Sequence, residues 1–273
     1  MNILFWNLCK KELQQELLLL CQDHDIDVIL LAECSISDTA LITALNTGSG
    51  RKYLMPFYTS DRIKIITRYK RDSVLPVSDP DGVSIKHIIP PIGSDIILVG
   101  VHLPSKLFAI DIDHTALSIR LSQAIIEAEK KVGHDRTIVI GDFNMNPFED
   151  GMIASDGLHT VMDRNIANRI CRTVYGKECK FFYNPMWSLM GDFSTGPPGT
   201  FYYQSSGQKS FFWNAFDQVL LRPSLIEYFN QDDIKVITKI GNSSILTKKG
   251  KPDKRNFSDH LPITIKLSIE KGD

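Results

Sequence analysis

The chain has 273 residues, 43% of them hydrophobic and 23% charged, with a formal net charge of −1. A chain of this kind can bury a sizeable core as one soluble globular domain over 1–273, and its charge gives no global attraction for a polyanion. Five cysteines without a C-x-x-C pair exclude a zinc pattern and a secreted disulfide framework, and no run approaches the ~18 apolar residues of a membrane span.

The first apolar run, Ile3-Leu4-Phe5-Trp6, predicts a strand beginning at residue 2 or 3 and ending on Asn7. It leaves no room for a targeting peptide, so a reducing, cytoplasmic location without a membrane anchor is expected. Leu13, Leu17, Leu20 and Cys21 recur at helical spacing and predict a helix over 10–24. Val28-Ile29-Leu30-Leu31-Ala32 predicts a second strand ending on Glu33, followed by a short helix near 38–46. Strands are then expected at 53–58, 63–68, 83–89 and 95–101, split by Asp-Pro-Asp-Gly at 79–82 and Pro-Pro-Ile-Gly at 90–93 as antiparallel hairpins would be. Leu117, Leu121, Ala124, Ile125, Ala128 and Val132 mark one face of a helix over about 114–132, with Gly133 as its stop. Beyond a strand at 137–141, the stretch 184–215 mixes Gly, Pro and Ser with Trp187, Phe193, Phe201, Tyr202, Tyr203, Phe211, Phe212 and Trp213. So long a loop in a compact domain is usually functional. Strands at 217–222, 233–240 and 261–268 close the chain. The pattern predicts an α/β (α+β) protein with two mixed sheets packed face to face and helices outside.

Four of these strands end on a polar residue, at Asn7, Glu33, His102 and Asp142. Two others begin on one, at Asp217 and at Asp259-His260. If the first four run toward one sheet edge and the last two away from it, all these groups meet there. Glu33 and Asn7 offer the oxygen ligands that a hard cation such as Mg²⁺ takes. In Gly141-Asp142-Phe143-Asn144, a carboxylate at a strand end is followed at i+2 by an amide on the same side, a pair able to orient water and hold a phosphate oxygen. Asp259 can fix the tautomer of His260, favour its protonated form, or reach a metal through water. Asp217 reads as a buried carboxylate in need of a partner, and a histidine is the obvious one. His102 is a second acid or phosphate ligand. The other histidines, His24, His87, His114, His134 and His159, have no comparable setting. Lys248, Lys249, Lys251, Lys254 and Arg255 form a basic loop, read either as solvated surface or as a phosphate-steering patch.

Asn7, Glu33, His102 in His-Leu-Pro-Ser, Gly-Asp142-Phe-Asn144, Asp217 and Ser-Asp259-His260 together resemble the endonuclease/exonuclease/phosphatase superfamily, in the family's order and over residues 2 to 268. The resemblance implies a four-layered sandwich with a Mg²⁺- or Mn²⁺-dependent phosphoesterase site at one sheet edge. It implies that Glu33 binds the metal, helped by Asn7 and by Asp259 through water. Asp142 would activate or hold the attacking water, with Asn144 orienting it. Asp217 would bond a histidine, and His102 would touch the phosphate or protonate the leaving group. His260 would bind the scissile phosphate or act as general base, so the base is left open between Asp142 and His260. In one branch the histidine at position 102 pairs with an acid, for which Asp61 is the nearest match.

No named branch fits throughout. Abasic-site endonucleases carry Asn where this chain has Cys9, Gln where it has Ala32, and a Tyr-x-Pro-Asn-type segment where it has His102-Leu103-Pro104-Ser105. The 5-phosphatase signature is absent from Trp213–Asp217. The expectation is a nuclease or other phosphodiesterase, with nucleic acid or another phosphodiester as partner. Lys248, Lys249 and Trp213 are taken as candidate substrate contacts. A phosphomonoesterase of small molecules is the alternative, and a silent binding module is disfavoured because every costly polar residue is present.

Overall fold

The computed structural model describes residues 1–273 except 49, 51, 58–59, 61, 107–109, 192–195, 209 and 270–273. Strands β1 (Asn2–Asn7), β2 (Val28–Ala32) and β3 (Ile63–Thr67) lie in one five-stranded sheet with Ile234–Val236 and Ile263–Lys266. A seven-stranded sheet contains β4 (Val74–Ser78), β5 (Val83–Ile88), β6 (Ile96–His102) and β7 (Thr137–Asp142), continued by Asp217–Leu221, Phe182–Tyr183 and Thr160–Val161. Both sheets are mixed. β1 is parallel to β2 and β6 to β7, whereas Ile263–Lys266 runs antiparallel to β1 and Asp217–Leu221 antiparallel to β7. The polar residues at these strand ends therefore share one edge, as the sequence predicts.

Three apolar clusters separate four layers. Ile3, Phe5, Leu30 and Ile65 meet Leu98, Ile138, Ile140 and Val219 between the sheets. Their alternates Leu4, Trp6, Ile29 and Leu31 face outward onto Leu17 and Leu20 of helix α1 (Gln14–Asp23) and Leu41 and Leu45 of α2 (Asp38–Leu45). On the far side, Val99, Val101 and Val139 cover Leu121, Ile125 and Ala128 of α3 (Asp111–Val132). Strands covered on both faces must be apolar at every position, which is why they read as unbroken runs rather than as alternation.

Differences from the expected boundaries have local causes. α1 starts at Gln14 rather than 10 because Cys9 and Lys10 take left-handed φ angles of 47° and 58°. α3 starts earlier, at Asp111, where the Asp113 carboxylate accepts the Ile110 amide at 3.0 Å and two acids occupy the first turn. Its C-terminus is Gly133, at φ 92°. The segment expected as a strand at 53–58 contributes an isolated bridge, Leu54 to Thr67, among its described residues, and Pro56 lacks the N–H to extend it. β4 was not expected. Its Pro76 is tolerated because β4 is an edge strand, with a register irregularity between Pro76 and Ser78.

Gly141 sets the distance between the strands that carry His102 and Asp142. A Cβ there would lie 1.9 Å from the Val101 carbonyl oxygen, which is backbone and cannot turn away. Gly141→Ala should cost about 3 kcal/mol or more, read as a fall in urea midpoint, and should disorder the edge site. An unchanged midpoint would mean that the two strands separate freely.

Candidate active site

His260 is the hub of the sheet edge. Its Nδ1 faces both oxygens of Asp217, at 2.8 and 3.1 Å, and its Nε2 lies 3.8 Å from Asp142 Oδ2. Asp217 and Asp142 are direct cross-strand partners, and both are buried. Two carboxylates in that position repel unless a cation lies between them. Burial alone would lower the imidazole's pKa, but Asp217 and then Asp142 override it and hold it up to about 10. Burial raises Asp142, partly offset by His260.

The position of His260 is fixed from three sides. Trp6 Nε1 donates to its carbonyl at 2.9 Å, Ser258 Oγ accepts its amide at 3.1 Å, and the Phe201 ring stands 4.7 Å from the imidazole. Ser258 Oγ in turn donates to Asn7 O at 2.6 Å, joining the His260 segment to the end of β1. Thr200 does the same for Asp217. Its Oγ1 accepts the Asp217 amide, and its carbonyl accepts the Leu261 amide.

Asn7 bridges the two sheets. Its Nδ2 donates to Asp142 Oδ2 at 3.1 Å and faces Glu33 Oε1 at 3.4 Å, while its Oδ1 accepts the Cys9 amide. Glu33 follows β2 with a left-handed φ of 46°, and its carbonyl accepts the Lys10 amide at 2.9 Å. The His102 Nε2 lies 3.6 Å from Glu33 Oε1, whereas its buried Nδ1 has no partner among the described residues. Asp142 Oδ1 accepts the Asn144 amide at 2.9 Å, a local turn that places Asn144 at φ 51°, which Asn tolerates well. Asn144 Nδ2 donates to Leu103 O, and the intervening Phe143 is buried in the outer core. Asp259 is half-buried beside Cys9. Burial, then Asp259 and Glu33, push the Cys9 thiol up to about 11, and all three residues line the same cleft.

Glu33, His102, Asp142, Asn144, Asp259 and His260 line one cleft of about 980 Å³. Asn7 and Asp217 lie directly behind it. Trp213, Lys248 and Lys249 do not line it. Tyr202 and Trp213 are register partners on the hairpin Phe201–Tyr203/Phe212–Asn214 and contact each other edge-on at 5.5 Å. They point away from the cleft, whereas Phe201, Tyr203 and Asn214 line it. The basic loop packs behind this hairpin, with Lys251 Nζ 3.9 Å from the Tyr202 ring and Lys248 and Lys249 exposed beyond. Asp61 and Phe193 lie outside the described residues. Lys10, Arg62 and Lys106 also line the cleft, and none sits in a motif that would have marked it; Phe211, from the aromatic stretch 184–215, and Phe216, beside Asp217, line it too.

His87, Asp95 and His134 form a further cluster, but Arg136 also bonds Asp95, and His134 Nδ1 accepts the Arg136 amide at 3.2 Å. With Nδ1 an acceptor, Nε2 carries the proton toward Asp95. The cluster therefore reads as a carboxylate satisfied by three donors.

An α/β sandwich with a carboxylate–histidine site at the sheet edge defines a structural class. The model of the endonuclease/exonuclease/phosphatase family matches residues 2–260, and the chain belongs to that family, whose members hydrolyse phosphoester bonds. Solved structures of the same fold include the endonuclease domain of TRAS1, a telomere-specific non-LTR retrotransposon, at 14% identity and TM-score 0.55 over 99% of each chain. An AP endonuclease from Archaeoglobus fulgidus aligns over 98% of this chain and 100% of its own, at 14% identity and TM-score 0.56. The 3′ phosphatase NExo from Neisseria, bound to product DNA hairpin, aligns over 98% and 99% at 12% identity and TM-score 0.57. At these identities the likeness extends to the fold. No curated protein matches the chain by sequence. Among the described residues, no helix is long and apolar enough to cross a membrane.

A histidine whose pKa is raised on folding adds stability that is complete below its unfolded value near 6.5 and is lost as pH rises through about 10. In the metal-free protein, the imidazole carbon-bound proton signal of His260 should therefore hold its protonated shift through neutral pH. In Asp217→Asn it should titrate at distinctly lower pH. Identical titration in the two proteins would show that Asp217 does not set the charge of His260.

Proposed function

We propose that the protein is a divalent-metal-dependent phosphodiesterase, and most specifically a nuclease. The observation that carries this reading is His260, with its Nδ1 2.8 Å from Asp217 and its Nε2 3.8 Å from Asp142, in one cleft with Glu33 and Asp259. Together these supply a fixed donor for a phosphate and two carboxylates for a cation.

The donor set fits the metal. Glu33 and Asp259 are hard oxygen ligands that line the cleft together, and the Asn7 Oδ1, which already accepts the Cys9 amide, would have only its second lone pair to offer. Mg²⁺ suits such a site best, with Mn²⁺ as substitute. Bound there, the ion would supply positive charge against the phosphate oxygens and polarise the ester. Asp142 has its Oδ1 held by the Asn144 amide and its Oδ2 facing Asn7 and His260. Its pKa is raised by burial, which improves it as a proton acceptor near neutrality. This geometry supports Asp142 rather than His260 as the group that takes the proton of the attacking water, since an imidazole protonated on both nitrogens has no free lone pair to accept it. His260 Nε2–H then binds a non-bridging phosphate oxygen, and Asn144 orients the water. His102, next to Glu33, contacts the phosphate on the leaving-group side.

Charge matching favours a diester over a monoester. Of the lysine and arginine side chains lining the cleft, Arg62 is paired with Asp81 and Lys106 with Glu149, which leaves Lys10 and His260 to meet the phosphate, enough for a monoanion. The cleft volume lies at the upper end of the ~300–1,000 Å³ seen for small-ligand sites, consistent with a substrate that continues past the scissile group. Lys248 and Lys249, behind the hairpin, would meet only the far part of a long strand.

Hydrolysis of bis-p-nitrophenyl phosphate and p-nitrophenyl phosphate should be compared with Mg²⁺, with Mn²⁺ and with EDTA. The diester should be cleaved and the monoester spared, with activity abolished by EDTA. Asp142→Ala and His260→Ala should each lose ~10²–10³ in rate while remaining folded. Cleavage of the monoester alone would replace this reading with a phosphomonoesterase. Full turnover by either variant would refute the role assigned to that residue.

A further inference from the structure

Phe211 is 60% exposed, yet it lines the same cleft as His260. A phenyl ring left in water at the mouth of a site loses the burial that normally holds an aromatic in place. This one is nonetheless fixed. Its ring lies 5.3 Å from Phe148, which in turn lies 6.3 Å from Trp187, so two half-buried aromatics buttress it from behind. The neighbouring Phe212 takes a left-handed φ of 60° and sits against Tyr202 at 6.3 Å on the hairpin's outer side. Phe211 itself stays in the cleft. Tyr203, also 58% exposed, stands on the same wall. Lys106 borders that wall, with its Nζ 5.9 Å from the Phe216 ring.

A rigid aromatic face beside a phosphate site matches the two parts of a nucleotide, a flat π-system and the phosphate it adjoins. We propose that the cleft takes a phosphodiester whose adjoining nucleotide carries an unpaired base stacked on Phe211, so that single strands and frayed ends are the substrate class. This rests on the phosphodiesterase reading above. The bases of a duplex are already stacked on their neighbours and present only their edges, so a side chain inside a cleft cannot reach their faces. Base identity is left unread by such a wall, because every base has a π-face.

The test compares three substrates of equal length: a single-stranded oligonucleotide, the same strand in a duplex, and a strand in which abasic spacers replace the bases around the cleavage site. Each is offered to the full chain, to Phe211→Ala and to Phe211→Trp, with Mg²⁺ present. The single strand should be cleaved at least about 10-fold faster than the duplex. Phe211→Ala should lose about 10- to 100-fold in kcat/KM on the base-bearing strand, the range that one stacked base is worth, and nothing on the spacer strand. Phe211→Trp should keep the wild-type preference. Equal losses on both strands, or equal cleavage of duplex and single strand, would overturn the proposal. So would cleavage of sphingomyelin in mixed micelles that needs Phe211 while oligonucleotides are untouched. Hydrolysis of bis-p-nitrophenyl phosphate without cleavage of any oligonucleotide would sink this inference and leave the phosphodiesterase reading standing. No hydrolysis of either would sink both.

Discussion

Asp142 and Asp217 are cross-strand neighbours at the edge of the larger sheet, and the rest of the site follows from making that pairing tolerable. Two buried carboxylates side by side would ordinarily force one to take up a proton or the strands to slip. Neither is needed, because an imidazolium from the smaller sheet sits between them. Removing one member of such a buried array strands the others, at a cost of about 3–5 kcal/mol. The face-to-face packing of the sheets and the charge state of His260 are therefore the same fact seen at two scales. The apolar layer holds the sheets at the distance where the array closes, and the array keeps the two polar edges aligned. Asn7 and Ser258 serve this alignment too, since each bonds to groups carried by another segment of the edge.

Much of this was legible in the sequence because strand ends are simple. A buried strand is an apolar run, and the residue that stops the run is where the chain meets the edge. Directions then follow from whether the polar residue ends the run, as at Asn7, Glu33, His102 and Asp142, or begins it, as at Asp217 and His260. The stretch 184–215 reads as functional, and its Phe201, Tyr203 and Phe211 do line the cleft, but which of its aromatics face inward was not legible. Whether an aromatic on a hairpin faces the site depends on a period of two and on its origin, so Trp213 and Tyr202 look inviting but face out while Phe201 and Tyr203 face in. The left-handed φ at Phe212 breaks even that alternation, and nothing in Ser-Phe-Phe-Trp announces it. Lys248 and Lys249 misled for a related reason. Near in sequence to Asp259-His260, they are exposed and do not line the cleft, since their loop meets the hairpin through Lys251 on the Tyr202 face. The lysine and arginine side chains that do line it among the described residues, Lys10, Arg62 and Lys106, lie far apart in the chain and are gathered only by the fold.

The division between legible and illegible positions is also a division of labour. Groups on strand ends are held by ladder hydrogen bonds and by two cores, so their geometry is precise and their chemistry general. Groups on loops vary freely without disturbing it. Structures at 12–14% identity superpose over nearly the whole of both chains, yet include an endonuclease domain and a 3′ phosphatase.

Cys9 illustrates how such a wall can change without spoiling the chemistry. It stands beside Glu33 and Asp259, where a thiolate would add a soft ligand and a third negative charge. The same two carboxylates, together with burial, push its pKa to about 11, so at neutral pH it is a neutral thiol. On the proposed reading, the site keeps its hard oxygen character although a sulfur lines it, because the acids that would bind the cation also keep the competitor protonated. A cation placed there would weaken that repulsion and ease ionisation of the thiol. The left-handed turns at Cys9, Lys10 and Glu33 hold these two segments together, with the Lys10 amide bonded to the Glu33 carbonyl at 2.9 Å. The strain in those turns is placed where the site needs its donors converged.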